Sequence, residues 1–305
     1  MIAFVVRRIL GLVFTLWIVF TVSFLLMRAV PGGPYSGERN LPAEIEANIK
    51  QRYRLDLPLS EQYLIELGKI VRGDLGLSIR LADFNVNQVI AQGLPISMAL
   101  GIFALAFALT LGLSAGIVSS LYRGSLVDWL LMSLATIGIA LPSFVIAGLA
   151  IMLFVFIIPI FPAAGWGSLQ QLILPSICLG TLYAAEIARI ARTGMLDALS
   201  QDYVRTARAK GLSKLAVALR HALPTAMLPV VSFLGPAVAG ILTGSVVIER
   251  IFAIPGLGWH FVQAALQRDY TLAMGLVLLY TLLLYTMNFL VDLSYGILDP
   301  RVELK

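Results

Sequence analysis

Apolar positions in this chain fall into long, nearly charge-free runs that are separated by shorter polar segments. Six runs stand out: Ile9–Met27, Met98–Leu121, Trp129–Ile158, Pro175–Ile190, Thr225–Val247 and Leu272–Val291. A helix needs about 20 mostly apolar residues to cross a bilayer. The pattern therefore predicts an all-α integral membrane protein with six transmembrane helices.

The first run is flanked by Arg7, Arg8 and Arg28. A secretory signal peptide has an apolar core of about 7–15 residues, followed by a cleavage site of small residues. The run Ile9–Met27 is longer and no such site follows it. It is predicted to be a transmembrane helix whose N-terminus lies in the cytoplasm.

Prolines predict irregularities in three later helices. Pro142 lies in the middle of the third run and predicts a kink there. Pro175 predicts the start of the fourth helix, because the first turn tolerates a residue without an N–H group. Pro229 and Pro236, together with several glycines, predict a bent and closely packed fifth helix.

The polar segment Pro31–Pro95 contains eight acidic and seven basic residues. It is predicted to be an ordered external (periplasmic) segment, so that residues 1–95 form the first helix plus this segment and residues 96–305 form a five-helix core. Helices are expected at Pro42–Arg54 and Ser60–Val71, and a tight turn at Gly73–Ser78.

The helix at Ser60–Val71 is amphipathic, because its apolar side chains recur at helical spacing. They are Tyr63, Leu64, Leu67, Ile70 and Val71. Two interpretations of this face are open. It packs on the protein's own outer surface, or it lies on the membrane surface.

Composition and charge agree with a membrane protein. The chain is 59% hydrophobic and 13% charged, whereas a soluble domain has about 25% charged residues. The net charge of +5 lies largely in short loops and does not indicate a nucleic-acid partner. With the N-terminus inside, the short basic loops fall on the cytoplasmic side, as the positive-inside rule requires. Both termini are therefore predicted to be cytoplasmic.

The longest basic stretch in the C-terminal two thirds of the chain is Asp202–Pro224. No acidic residue follows Asp202 within it, and its basic residues alternate with apolar ones. Gly211 followed by Ser213 predicts a helix end and a new helix start, and Pro224 is expected to end the second helix. One interpretation is a cytoplasmic loop whose charges only fix topology.

The spacing within this stretch supports a second interpretation. It resembles the cytoplasmic "EAA" loop of ABC-importer permeases, in which two small residues, a glycine four positions on and a terminal Leu-Pro recur. Thr206–Ala207, Gly211 and Leu223–Pro224 match that pattern. Arg205 stands where the wider family has Glu, and His221 where it has an aliphatic residue. Both residues are typical of the peptide and nickel branch of the family, which has the sequences RTARAKG and RHAL at the positions of residues 205–211 and 220–223.

The resemblance extends over essentially the whole chain. PGGPYSGERNLPAE, GDLGLS, GPAVAGILTGSVVIERIF, PGLG, QRDY and DLSYGILDPRV are similar to segments of the oligopeptide, dipeptide and nickel permease family, and most similar to B-type oligopeptide permease subunits.

This resemblance implies a permease of the bacterial cytoplasmic (inner) membrane that imports oligopeptides. It also implies partners: a homologous second permease forming a heterodimer, two ABC ATPase subunits and an external peptide-binding protein. By the same resemblance, the stretch 202–224 docks into a cleft on the ATPase. Its expected contact residues are Tyr203, Arg205, Thr206, Ala207, Lys210, Gly211, Leu212, His221, Leu223 and Pro224.

Candidate catalytic and metal motifs favour a transporter over an enzyme. Gly112–Gly116 reads G-x-S-x-G, but it lies inside an apolar helix, where small residues allow close helix packing. His221 and His260 have no partner at metal-ligand spacing, so no metal site is expected. The apolar surroundings of Cys178 indicate a core residue. No phosphate-binding G-x-x-x-x-G-K-[ST] occurs, so ATP and Mg²⁺ are expected on partner ATPase subunits and no cofactor on this chain.

Charged residues within the predicted helices lie towards their cytoplasmic ends. Glu186 and Arg189 are three positions apart and are expected to pair. Ion-coupled carriers usually keep ionisable groups at mid-membrane. The centres of the predicted helices carry no charge, which argues against ion coupling. A secondary carrier or channel without an ATPase remains the alternative, and an intramembrane hydrolase is a third class.

The pathway is expected to be lined by small, hydroxyl and apolar groups, because varied peptides must also be released. The candidates are Ser232, Gly235, Thr243 and Ser245, and helix packing is the alternative role for each of them.

Overall fold

The computed structural model describes residues 2–29, 56–81 and 84–298. The predicted helix at Pro42–Arg54 lies outside these residues. The helices are α1 (Ile2–Ala29), α2 (Leu59–Val71), α3 (Val86–Leu121), α4 (Leu126–Ala140), α5 (Ser143–Ile151), α6 (Leu169–Leu199), α7 (Asp202–Ala209), α8 (Lys214–Val217), α9 (Leu223–Ile251), α10 (Leu257–Leu266) and α11 (Tyr270–Leu298). Within the described ranges the only β-pairing is an isolated bridge between Leu77 and Asn85.

Five helical segments are long and apolar enough to cross a membrane, and there are six if the bent pair α4–α5 counts as one span. α5 continues as a π-helical turn, Met152–Ile157. α4 (Leu126–Ala140) and this extended helix (Ser143–Ile157) meet at an angle of 108°. Leu141 is extended (φ −88°, ψ 128°), because a residue before proline is disfavoured in the helical region. The kink predicted at Pro142 is confirmed, and it is a sharp break.

Two predicted helix starts are wrong. α3 begins at Val86 instead of Met98 and runs through Pro95, so the end of the polar segment is already helical. α6 begins at Leu169 and contains Pro175 in its interior. Its start is set by a capping box in which the Ser168 hydroxyl accepts from the Gln171 N–H while the Gln171 side chain accepts from the Ser168 N–H.

The chain divides into two compact units. One comprises residues 1–94 and 259–283, and the other residues 95–258 and 284–305. In the first unit, α2 packs on α1. Its Tyr63 ring lies 5.2 Å from the ring of Phe20, and its hydroxyl is 2.8 Å from the Thr21 hydroxyl. Leu67 and Ile70 join the same apolar cluster. The interpretation that this face packs on the protein itself is confirmed for these residues, although the predicted Leu64 and Val71 are exposed.

The predicted turn after α2 is also present in this unit. Gly73 and Gly76 have φ of +79° and +84°, and the Asp74 carboxylate accepts from the Gly76 N–H. The chain that follows is fixed by Asp269. This buried carboxylate accepts hydrogen bonds from the Ser78 hydroxyl and, at 3.1 Å, from the Ile79 N–H.

The second unit is built around α6, which packs against α9, α4 and α5. It also approaches α3 closely at glycines. A Cβ atom on Gly112 would lie 2.6 Å from the Ala184 carbonyl oxygen, and one on Gly116 would lie 2.6 Å from the Ala188 carbonyl oxygen. The G-x-S-x-G sequence is therefore a packing surface inside α3. Cys178 is fully buried in the same core.

Two buried carboxylates connect elements of the second unit. Asp128 of α4 receives two hydrogen bonds from Arg192 of α6, at 2.8 and 2.9 Å, and further ones from the Ser119 hydroxyl and the Gly124 N–H. Within the described residues Arg189 does not form the predicted pair with Glu186, since no ion pair joins them.

Glu249, at the end of α9, accepts from the Ser97 hydroxyl at 2.7 Å. That hydroxyl accepts in turn from the Leu257 N–H at 2.8 Å. Through the Ser97 hydroxyl, α3 is therefore joined to the end of α9 and the start of α10 by hydrogen bonds between residues that are 152 and 160 positions apart.

Candidate coupling surface

The segment 202–224, here called the basic loop, forms two short helices with a sharp break between them. α7 ends at Ala209, and Gly211 has φ of +83°. A left-handed conformation of this kind is open to glycine and costly for other residues. Ser213 then caps α8 by accepting from the Ala216 N–H. The predicted helix end and new start are both confirmed.

The prediction that Pro224 ends the second helix is wrong. α8 passes through a π-helical turn, Ala218–Ala222, directly into α9. Pro224 occupies the first turn of α9, where its missing N–H group leaves no helix hydrogen bond unmade. The basic loop is therefore continuous with a membrane-spanning candidate that runs from Lys214 to Ile241.

One face of the basic loop is buried. Val204 and Ala207 of α7 pack against Val217 of α8, and all three are buried. Ala218 and Ala222 pack on Met195 at the end of α6. Interdigitated apolar side chains thus hold the two short helices together and hold them to the end of α6.

The opposite face, here called the outer face, mixes exposed apolar and basic side chains. Tyr203, Leu212, Leu215 and Leu219 are 42%, 39%, 58% and 44% exposed. The exposed basic side chains around them are those of Arg205, Arg208, Lys210, Lys214, Arg220 and His221. Exposed apolar groups ringed by polar ones are typical of protein interaction surfaces.

The structure brings the predicted contact residues together on this loop. Eight of the ten are exposed; Ala207 is buried and Leu223 is half-buried. Arg205 lies 3.4 Å from the Asp202 carboxylate, but both side chains are largely exposed. Such a pair contributes about 0–1 kcal/mol, so Arg205 is available to a partner.

The base of the basic loop is joined to two long helices. Gly194 of α6 lies against α9, where a Cβ atom would be 2.7 Å from the Ala226 carbonyl oxygen. Tyr203 reaches the Thr225 hydroxyl at 3.5 Å. A displacement of the loop therefore acts on the ends of both α6 and α9.

The four predicted pathway residues all lie on α9. The Ser232 hydroxyl is half-buried and donates to the Leu228 carbonyl within the helix. Gly235 is buried, with Val291 atoms 3.0–3.1 Å from a Cβ atom built on it. Ser245 is fully buried. Burial supports the packing alternative for Gly235 and Ser245, while the side chain of Thr243 lies outside the described set.

The part of the chain that the structure describes contains no group of three or more His, Cys, Asp or Glu side chains placed to hold a metal ion. His221 lies exposed on the outer face. The chemistry offered by the basic loop is thus that of a binding surface with positive charge and apolar contacts.

Comparison with known proteins identifies relatives for the whole chain. Residues 108–304 match the model of the "Binding-protein-dependent transport system inner membrane component" family, and residues 1–100 match the N-terminal region model of the same kind of membrane component. The oligopeptide transport system permease protein OppB of Escherichia coli K12 is 44% identical over 305 residues, covering 99% of this chain and 100% of the relative.

A second relative and a solved structure extend this result. The dipeptide transport system permease protein DppB of Bacillus subtilis is 42% identical over 301 residues, covering 99% of this chain and 98% of the relative. An inward-facing structure of the MetNI methionine ABC transporter matches with a TM-score of 0.59 at 17% identity, over 70% of this chain and 97% of the other. At that identity the match shows a shared fold.

Proposed function

The chain belongs to the family of binding-protein-dependent transport system inner membrane components, and from this premise we propose that it forms half of the translocation pathway of an ATP-driven oligopeptide importer. It is a multi-pass permease subunit of the inner membrane. Two relatives named for oligopeptide and dipeptide transport, each matched over nearly its full length, support peptides as the substrate class.

The outer face of the basic loop is the observation that carries the coupling role. A segment that only fixed topology would need positive charge and no exposed apolar side chains. Here Tyr203, Leu212 and Leu215 project from a loop whose other face is firmly packed. We assign this surface to a cleft on an ATPase subunit, with Arg205 and Lys210 facing acidic groups there.

The partners follow from the same proposal. A homologous second permease supplies the other half of the pathway, two ABC ATPase subunits bind and hydrolyse ATP with Mg²⁺, and an external binding protein delivers the peptide. This chain itself catalyses no reaction. Both termini and the basic loop lie in the cytoplasm, and residues 31–95 form an ordered external segment that faces the binding protein or frames the entrance.

The proposed mechanism is mechanical. Closure of the two ATPase subunits around ATP moves the basic loop, and the loop moves the ends of α6 and α9 to which it is packed. Ser232 and Thr243 of α9 are the proposed pathway contacts from the predicted set. Gly235 and Ser245 allow α9 to pack closely.

ATP-driven uptake separates this proposal from a secondary carrier or channel. The tagged chain is purified from its native membrane with its bound subunits and is reconstituted into proteoliposomes with the binding protein and a labelled peptide. We expect peptide accumulation that requires ATP and persists when ion gradients are collapsed. Accumulation driven by a gradient without any ATPase chain in the preparation would contradict the proposal.

A further inference from the structure

A groove between α6 and α9 is lined by no residue of the basic loop. It has a volume of about 490 Å³ and is lined by Glu186, Arg189, Thr193 and Asp197 of α6 and Pro229 of α9. The four α6 residues recur at helical spacing along one side of the helix. This region is here called the inner groove.

Measured from Leu121, the end of the predicted span Met98–Leu121, the part of the inner groove around Glu186 and Arg189 lies within the membrane. Gly112 of α3 touches α6 at Ala184 and Ile187, which brackets Glu186. Gly112 precedes the end of α3 at Leu121 by nine residues, or about 13 Å at 1.5 Å per residue. The contact of Gly116 with Ala188 places the neighbouring Arg189 about 8 Å before the same end by the same arithmetic.

Charged side chains at this depth need water or a charged partner. Arg192, on another side of α6, has one, since it forms the two hydrogen bonds to Asp128. Glu186 is half-buried and Arg189 is exposed, and among the described residues neither side chain makes a hydrogen bond or ion pair. Lipid would leave both charges without compensation, so the inner groove faces a polar space.

We propose that the inner groove is part of the inner half of the peptide pathway, where Glu186 meets the ammonium group and Arg189 the carboxylate or main-chain carbonyls of a passing peptide. This inference rests on the proposed function. Groups of opposite sign one helical turn apart suit a zwitterionic substrate. The volume falls within the range of about 300–1,000 Å³ that is common for ligand sites. Side chains that keep contact with water also release their ligand readily.

Single-cysteine labelling in the complete transporter tests the proposal. The only native cysteine, Cys178, is fully buried and gives little background. Arg189→Cys and Thr193→Cys place a thiol in the inner groove. Thr110→Cys is the control, because Thr110 is exposed on α3 and does not line the inner groove.

The transporter is held in nanodiscs and treated with a polar thiol reagent, which reacts with the thiolate form of cysteine. Apolar surroundings raise the pKa of a thiol, and each unit of that rise lowers the thiolate fraction about tenfold. We therefore expect both groove variants to react about tenfold faster than Thr110→Cys, or more. Peptide supplied with the binding protein and ATP should slow labelling of the groove variants several-fold. Glu186→Gln should reduce peptide uptake while the ATPase subunits stay bound.

Three results would overturn the inference: labelling as slow as at Thr110→Cys, labelling that peptide does not change, or cross-linking of groove thiols to the second permease in every state. If the wild-type transporter takes up peptide with ATP in the same preparation, these results remove only the groove assignment. If the wild type takes up no peptide, the proposed function fails and the groove assignment fails with it.

Discussion

The substitution Gly211→Val probes whether the geometry of the basic loop, and not only its charge, is needed for coupling. Gly211 has φ of +83°, and no heavy atom lies within 4 Å of a Cβ atom built on it. A valine side chain therefore meets no neighbour in this chain. The whole effect of the substitution comes from the backbone conformation that it disfavours.

The size of that effect follows from the left-handed conformation. The left-handed conformation raises the free energy of a residue with a Cβ atom by about 1–2 kcal/mol, and that of a β-branched residue by somewhat more. The variant loop escapes this cost by adopting another conformation, in which the outer face is no longer arranged for docking. Binding must then restore the strained form, which lowers affinity for the ATPase about 5- to 30-fold.

Gly73→Val is a matched control. Gly73 has φ of +79° and likewise no heavy atom within 4 Å of the built Cβ atom, but it lies in the turn after α2. Both variants carry the same backbone strain. We expect Gly211→Val to insert and to bind the second permease but to lose ATPase subunits on purification and to lose peptide uptake, whereas Gly73→Val keeps its ATPase subunits.

Charge is tested separately by Arg205→Glu, which introduces the residue typical of the wider family. Arg205 is largely exposed and its contact with Asp202 is weak, so uptake should fall far less than in Gly211→Val. Normal peptide uptake by Gly211→Val in intact cells would refute the reasoning, because the basic loop would then act only as a topology anchor.

Three further substitutions test the fold. Asp128→Asn should lower stability by about 2 kcal/mol, less than for a fully buried pair because Arg192 is partly exposed; thermal unfolding of the purified chain checks this, and an unchanged midpoint would contradict it. Gly112→Leu should prevent stable assembly, since its Cβ atom would lie 2.6 Å from the Ala184 carbonyl oxygen; a normal yield of complex would show that α3 and α6 are not in close contact. Burial raises the pKa of Glu66 above its ordinary 4.5 even beside Arg28, so the folded state binds this proton more tightly than the unfolded chain and stability falls as pH rises above about 4.5. Glu66→Gln should flatten this part of the pH profile of unfolding, and an unaltered profile would exclude Glu66 as its source.

The sequence predicted the elements whose signals are local. Charge-free runs predicted the spans, and Gly211 with Ser213 predicted the break in the basic loop, because a left-handed glycine and a capping hydroxyl each act within a few residues. Pro142 predicted a kink for the same reason. The start of α6 was also signalled locally, by Ser168 and Gln171 as a capping box, but the interpretation of Pro175 as a first-turn residue was wrong.

Other features depend on residues that are far apart in the sequence. Arg192 pairs with Asp128, 64 positions away. Helical spacing predicts only pairs between residues three or four positions apart. Likewise, spacing cannot distinguish which apolar residues of the basic loop turn inward. The structure places Val204 and Val217 inside and Leu215 outside, and this division defines the candidate docking surface.

The pathway residues were the least predictable part of the site. Small and hydroxyl residues serve both helix packing and a polar lining, so their types do not separate the two roles. Burial of Gly235 and Ser245 supports packing. Helical spacing predicts a local pair of Glu186 with Arg189, and such a pair would leave no charge for the inner groove.

The most direct test of the coupling role is to identify what touches the outer face in the membrane. Leu215 of this face is 58% exposed and can be replaced by a photoreactive phenylalanine derivative in the full-length chain. On illumination of native membranes, we predict a covalent adduct with a second protein that carries the phosphate-binding G-x-x-x-x-G-K-[ST] sequence, identified by mass spectrometry. Adducts with lipid alone, or with no ATPase chain among the products, would contradict the account.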